Sequence, residues 1–202
     1  MISFPLRGHV TNTTNNLLKA GFVALPAWLG ITTVAGFLAA GYNPIESHVS
    51  VMTLTEGLSH SLVNIAAWLA GVTLILFSIG VWRLSERRIS VGAICMILFG
   101  IAMITNGTWP MGSRLHGFYI IGIFNIIAPA LCLLDIRDND LRRKLHAFTA
   151  FVSVSAVFYL WLILTGFEPE GYSGLTQRIF GSINYAWPFM FALMALKKQP
   201  AT

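Results

Sequence analysis

Charge is the first thing this sequence lacks. Only 10% of its 202 residues are Asp, Glu, Lys or Arg, against about 25% in a typical soluble domain. So few charged side chains cannot cover a water-facing surface of this size, which excludes a soluble globular enzyme. A hydrophobic content of 55% equally excludes a disordered chain. Cysteine is scarce too. Cys95 and Cys132 both lie inside apolar runs, with no CxxC and no Cys/His spacing, so there is no disulfide framework and no zinc site. They read as small packing residues. Acidic residues number 8 against 13 basic ones, giving a net charge of +5 and a pI of 9.6. That balance invites a nucleic-acid partner, but the basic residues form short clusters between apolar runs. No basic stripe interleaved with aromatics exists, so nucleic acid is excluded.

What the sequence has is apolar length. A membrane helix needs about 20 mostly apolar residues, and six runs qualify: 18–40, 58–81, 89–105, 115–134, 145–165 and 175–196. No ten-residue alternating segments suggest a β-barrel. The fold expected is an all-α polytopic bundle of six transmembrane helices in one domain spanning residues 1–202. The first run ends in Phe37-Leu38-Ala39-Ala40, which resembles a small-residue cleavage site. It exceeds the 7–15 apolar residues of a signal peptide and is read as a retained span. Residues 1–16, rich in Thr and Asn, read as a tail or short surface segment.

Orientation follows from the basic residues in the loops. Arg7 and Lys19, then Arg83, Arg87 and Arg88, then Arg137, Arg142, Arg143 and Lys144, then Lys197 and Lys198 all fall on one side. Those are eleven of the 13; only Arg114 and Arg178 fall on the other. Both termini are therefore expected in the cytoplasm, with the protein in a cell membrane, a bacterial inner membrane by expectation.

The opposite, outer side gathers polar residues of another kind. Its loops contain Tyr42-Asn43-Pro44, Trp109-Pro110 and Phe167-Glu168-Pro169-Glu170. Tyr42, Trp109 and Tyr172 suit interfacial anchors. The outer ends of helices two, four and six carry His60, His116, Gln177 and Arg178. Glu56, His60 and Asn64 form one helical stripe, and Gln177, Gly181 and Asn184 another. Ionisable groups in a span face a bundle interior or a watery cavity, so a shared polar pocket is one reading; snorkelling of each group to the interface is the other. Three helix N-termini pointing outward, with Arg114 and Arg178, favour an anionic group. Glu46, Glu56, Glu168 and Glu170 oppose this, leaving the outer side at a formal charge of −2. A further pattern pairs Gly122-x-x-Asn125-x-x-x-Pro129 with Gly181-x-x-Asn184-x-x-x-Pro188. Each proline removes the hydrogen bond to its asparagine's carbonyl. That can make a ligand- or water-coordinating kink, or ordinary kinking with asparagine as interhelical glue.

Several of these residues also carry a resemblance. Tyr42-Asn43-Pro44 with Ser50, Asn64 with Gly71, Trp109-Pro110…Arg114-Leu115-His116-Gly117, and Gly174-Leu175-Thr176-Gln177-Arg178…Trp187 are similar to motifs of a six-helix prokaryotic membrane family. That family is catalogued as domain of unknown function nine-nine-eight, and the likeness runs from about Leu18 to Leu196. The chain departs from it at Val51-Met52-Thr53, where family members tend to have an acidic residue. The resemblance implies the six-helix topology and a shared site for Ser50, His116, Gln177 and Arg178. It implies no settled activity.

The functional expectation is an outer pocket at helices two, four and six that binds, and in an extended reading processes, a small amphiphilic or anionic ligand. Its binding residues would be Arg178, Gln177, His116, Asn64, Asn125 and Asn184, with His116 and Ser50 as the catalytic candidates. Three alternatives stay open. One is a redox protein with b-type haem on His60 and His116. Another is a metal site drawn from Glu56, His60, His48 and His116. The third is a transporter or a structural subunit of an oligomer or membrane complex, although the spans hold no mid-membrane acid or base of the kind ion-coupled carriers use. Membrane lipids are the expected surroundings in every case.

Overall fold

The computed structural model describes residues 12–116 and 123–197. The helices of these residues are α1 (Asn12–Lys19), α2 (Gly21–Leu38), α3 (Leu58–Ser85), α4 (Val91–Thr108), α5 (Ala128–Asp135), α6 (Asn139–Thr165) and α7 (Ser173–Lys197). Two 3₁₀ turns, Val49–Leu54 and Ile123–Asn125, join them, and no strand occurs among the described residues. In hydrocarbon every backbone amide must find its partner within the chain, and helices satisfy that requirement locally. Taking α1 and α2 as one stretch, five helical stretches are long and apolar enough to cross a membrane: Asn12–Leu38, Leu58–Ser85, Val91–Thr108, Asn139–Thr165 and Ser173–Lys197. The protein is an apolar helical bundle of the integral membrane kind.

The fourth expected span, 115–134, is not one helix in its described part. Leu115 and His116 lie in turns, Ile123–Asn125 is a 3₁₀ turn, and α5 has only eight residues, about 12 Å of rise. Residues 117–122, with Gly122, lie outside the described residues. The physical reason is Pro129, which sits in the first turn of α5. There its missing N–H costs nothing and its fixed φ favours helix initiation. Pro188, by contrast, lies inside α7. The expected matched pair of kinks is therefore one helix start and one proline inside a helix that continues through it. The N-terminal segment also differs from expectation: from Asn12 onward it is helical, and Leu18 is fully buried against α3. Arg7 and Lys198 lie outside the described residues.

Small residues set the packing. α3 and α4 lie together at Gly71 and Gly100, where a Cβ on either would come within 2.5 and 2.8 Å of the other's carbonyl oxygen. Such approach is what brings membrane helices into contact in the absence of a hydrophobic drive. Gly92 is tighter still, since a Cβ there would sit 2.1 Å from the Cys132 amide nitrogen; this seats α5 on α4. In the centre, Phe77 of α3 meets Trp187 and Phe191 of α7 edge-on at 6.1 and 5.6 Å. The Trp187 indole donates to Thr149 of α6 at 2.9 Å.

The bundle has two unlike ends. At the basic end, the α3–α4 and α5–α6 connections carry Arg87 and Arg137, and the first turns of α6 carry Arg142, Arg143 and Lys144. Asp135 closes this end: it accepts from the Ser90 hydroxyl at 2.7 Å and the Gly92 amide at 2.9 Å, and pairs with Arg87 at 3.4 Å. A carboxylate thereby caps the positive end of α4, while Arg87 donates to the last carbonyls of α5, those of Leu134 and Asp135. The loop end holds the long connections after α2, α4 and α6.

Candidate functional site at the loop end

The loop after α2 is latched onto the first turns of α7. The Leu175 amide donates to the Ile45 carbonyl at 2.9 Å, and the Ser173 hydroxyl donates to the Glu46 carbonyl. Loop carbonyls thus occupy the positive helix start that the sequence offered to an anion. Gly174 permits the contact, because any Cβ would strike the Ser47 and Pro44 carbonyls. Arg178, one turn further on, donates through Nη1 to the carbonyls of Pro44 (2.8 Å), Gly174 (3.0 Å) and Ser47 (3.4 Å). Its Nη2 donates to the Tyr42 hydroxyl at 2.5 Å, and the guanidinium stands 5.6 Å over the Tyr42 ring. Tyr42 in turn donates to the Ser47 carbonyl. Gln177 accepts from the Val49 amide at 2.6 Å.

The 3₁₀ turn that follows carries the other polar residues. Thr53 accepts from the Met111 amide at 2.8 Å, joining the loop after α2 to the loop after α4. The Thr53 carbonyl lies 3.0 Å from His60 Nδ1, and the Asn64 amide lies 3.0 Å from His60 Nε2. A carbonyl only accepts, so Nδ1 carries the proton and Nε2 accepts from Asn64. Ser50 donates to the Met111 thioether at 3.6 Å. His116, 2% exposed, donates through Nδ1 to the Trp109 carbonyl at 2.7 Å.

Gln177, Arg178, His60, Asn64, Ser50 and His116 therefore lie at the loop end of the bundle, each with partners of its own. Gln177 and Arg178 hold the first loop; His60 and Asn64 hold the 3₁₀ turn; His116 holds the second loop. Ser50 and His116 each have a partner within the loops: the Ser50 hydroxyl lies 3.6 Å from the Met111 thioether, and His116 Nδ1 lies 2.7 Å from the Trp109 carbonyl. Both ring nitrogens of His60 are engaged, so an axial haem role would break one of these bonds. His48 lies 3.6 Å from Glu168, and Glu56 is exposed. Among the described residues no three His, Cys, Asp or Glu side chains group as a metal site. Asn125 and Asn184 are half-buried and donate to no side-chain or backbone partner among the described residues. Tyr42 and Thr53 are the residues sequence reasoning undervalued. Tyr42 was readable as an interfacial anchor, and its neighbour Pro44 carried the only hint of a shaped loop.

A family model described as "Protein of unknown function (DUF998)" matches residues 22–194. The chain belongs to the DUF998 family. No curated protein and no solved structure matches it. The matched stretch covers the whole loop layer of this DUF998 protein, from Tyr42 to Asn184, and Asp135 at the other end.

Donor arithmetic shows what the DUF998 loop layer leaves open. Arginine has five N–H groups. The two on Nη1 serve three carbonyls, and one on Nη2 serves Tyr42. The Nε–H and the second Nη2–H have no acceptor among the described residues, and no carboxylate there forms an ion pair with Arg178. A half-buried guanidinium thus keeps its charge and two donors uncommitted. Exposed apolar side chains lie beside it on α7 and its preceding loop: Leu175, Ile179 and Tyr172.

Proposed function

We propose that the loop end of this protein binds a small amphiphile with an anionic head, and that this end faces away from the cytoplasm. Arg178 takes the anionic group through its uncommitted N–H donors, and the apolar tail lies along Leu175 and Ile179. Gln177, Asn64, His60 and His116 keep the loops in place around it; Asn125 and Asn184 keep free amides for a polar group of the ligand. The single observation behind this reading is the guanidinium that makes hydrogen bonds only to neutral groups. Buried or half-buried charges are ordinarily neutralised by an opposite charge, and here that charge is left to a ligand. The reading is one of binding.

Dodecyl phosphate, titrated into the purified protein in maltoside micelles and followed by thermophoresis, tests it. Saturable binding is expected. Arg178→Lys, which keeps the charge but not the planar fork, should weaken it about tenfold, the equivalent of one charge-assisted hydrogen bond. Arg178→Gln should weaken it further. Equal affinity in all three proteins would remove the proposal.

A further inference from the structure

At the basic end, away from the loop layer, a cavity of about 680 Å³ opens between α5 and α6. Its mouth carries Arg142, Arg143 and His146; its wall is Leu133, Leu134, Ala150 and Val154. The charges at the mouth are not equivalent. Asp140 takes Arg143 at 3.2 Å and Lys144 at 2.8 Å, so two of the three consecutive cations are paired. Arg142 is half-buried, lines the cavity and has no side-chain partner among the described residues. The positive end of α6 starts beside it, capped by Asp138.

The remaining polar groups follow one face of α6. Arg142, His146, Thr149 and Ser153 recur at helical spacing, and all line the cavity. Thr149 is occupied by the Trp187 indole, and the Ser153 hydroxyl is buried without a hydrogen-bond partner among the described residues. A free cation at the mouth and an apolar wall behind it are the two parts of one amphiphile site.

We infer that this cavity holds an anionic glycerophospholipid from the leaflet that the basic end faces. Its phosphate sits on Arg142 with His146, and an acyl chain lies against Leu133, Ala150 and Val154. Basic pockets between membrane helices commonly hold anionic headgroups in this way. The inference is independent of the loop-end reading, since it uses neither the same residues nor the same leaflet.

Native mass spectrometry of the purified, delipidated full chain, re-supplied with phosphatidylglycerol or phosphatidylcholine of identical acyl chains, tests it. Wild type is expected to retain phosphatidylglycerol in preference to phosphatidylcholine. Arg142→Gln should lower that retention about tenfold, as loss of a charge-assisted contact does. Val154→Trp leaves every charge in place and fills the cavity from an exposed position, so it should abolish retention while the protein elutes as wild type. Equal retention of the two lipids by wild type, or an unchanged preference in Val154→Trp, overturns the inference. So does competition by inorganic phosphate at millimolar concentration, which would make the site one for a free ion.

Discussion

The two arginines that matter most in this molecule, Arg178 at the loop end and Arg142 at the basic end, have opposite surroundings. Arg178 is engaged by three carbonyls and a phenol, and most of its hydrogen-bonding capacity goes into holding a loop 130 or more residues away in sequence. Arg142 holds nothing and lines a cavity. The basic end is instead secured by Asp135, which joins α4, α5 and the α3–α4 turn. One end is thus built from a cation collecting backbone acceptors, the other from an anion collecting donors. The comparison teaches that a charged residue near a membrane surface is assigned by counting its partners, not by its depth.

Asp135 gives the largest expected effect. Replacing it by Ala leaves Arg87 without its carboxylate and removes the cap of α4, in a position only 8% exposed. Hydrogen bonds to charged groups are worth about 1.5–3 kcal/mol, and loss of a helix cap adds about 1 kcal/mol. Chemical unfolding in detergent should show a destabilisation of about 3 kcal/mol. A change below about 1 kcal/mol would mean that α5 is seated by Gly92 and Cys132 alone.

The loop end should respond more locally. Arg178→Gln removes the Nη1 donors and the contact over the Tyr42 ring, while the helix beneath it stays intact. Overall stability should fall by about 2 kcal/mol, with amide exchange accelerating in residues 43–49 and remaining unchanged around Gly92. Tyr42→Phe should reproduce about half of that, since the ring stays and only the hydroxyl goes. Uniform acceleration throughout the bundle would contradict the picture of a separable latch.

Much of this arrangement was legible in the sequence, but unevenly. Five apolar stretches announce themselves by length, and the basic clusters separate the two ends without any geometry. The fourth segment misleads because Pro129 and Pro188 stand in the same spacing from an asparagine, yet one opens a helix and the other lies inside one that continues past it. Sequence spacing records the missing N–H but not where the helix begins. Asp135 escapes notice because it falls one residue past an apolar run, where a charge reads as loop. The latch itself is invisible for a deeper reason. Arg178 binds the carbonyls of Pro44, Ser47 and Gly174, and every residue has a carbonyl, so the acceptors leave no signature. Polar residue types revealed that this end was special; only the fold reveals that most of them are occupied.

A third region offers a smaller effect of opposite sign. Tyr185 lies between Trp28 and Phe99, at 5.2 and 5.8 Å between ring centroids, 3% exposed and with a buried hydroxyl that has no partner among the described residues. Tyr185→Phe keeps the aromatic stack and deletes the unmatched donor. A stabilisation of about 1 kcal/mol is expected, read as a higher midpoint in the same unfolding assay. A loss of stability would instead reveal an acceptor, such as a bound water, in the bundle centre.

The smallest effect on stability is expected at Arg142. Its side chain makes no hydrogen bond or ion pair among the described residues, so Arg142→Gln removes no polar contact among them. Surface substitutions away from specific features usually fall within about 0.5 kcal/mol, and loss of an unneutralised cation beside Arg143 and Lys144 relieves like-charge repulsion. Unfolding of lipid-free protein should therefore be unchanged or slightly improved, in contrast to the loss at Arg178. Repeating the measurement with phosphatidylglycerol present sharpens the contrast. Wild type should gain stability with lipid concentration, as any ligand that binds only the folded state requires, and Arg142→Gln should gain little. A large destabilisation of the lipid-free variant would show that Arg142, like Arg178, is part of the scaffold, and the two ends of the bundle would then be built on one principle.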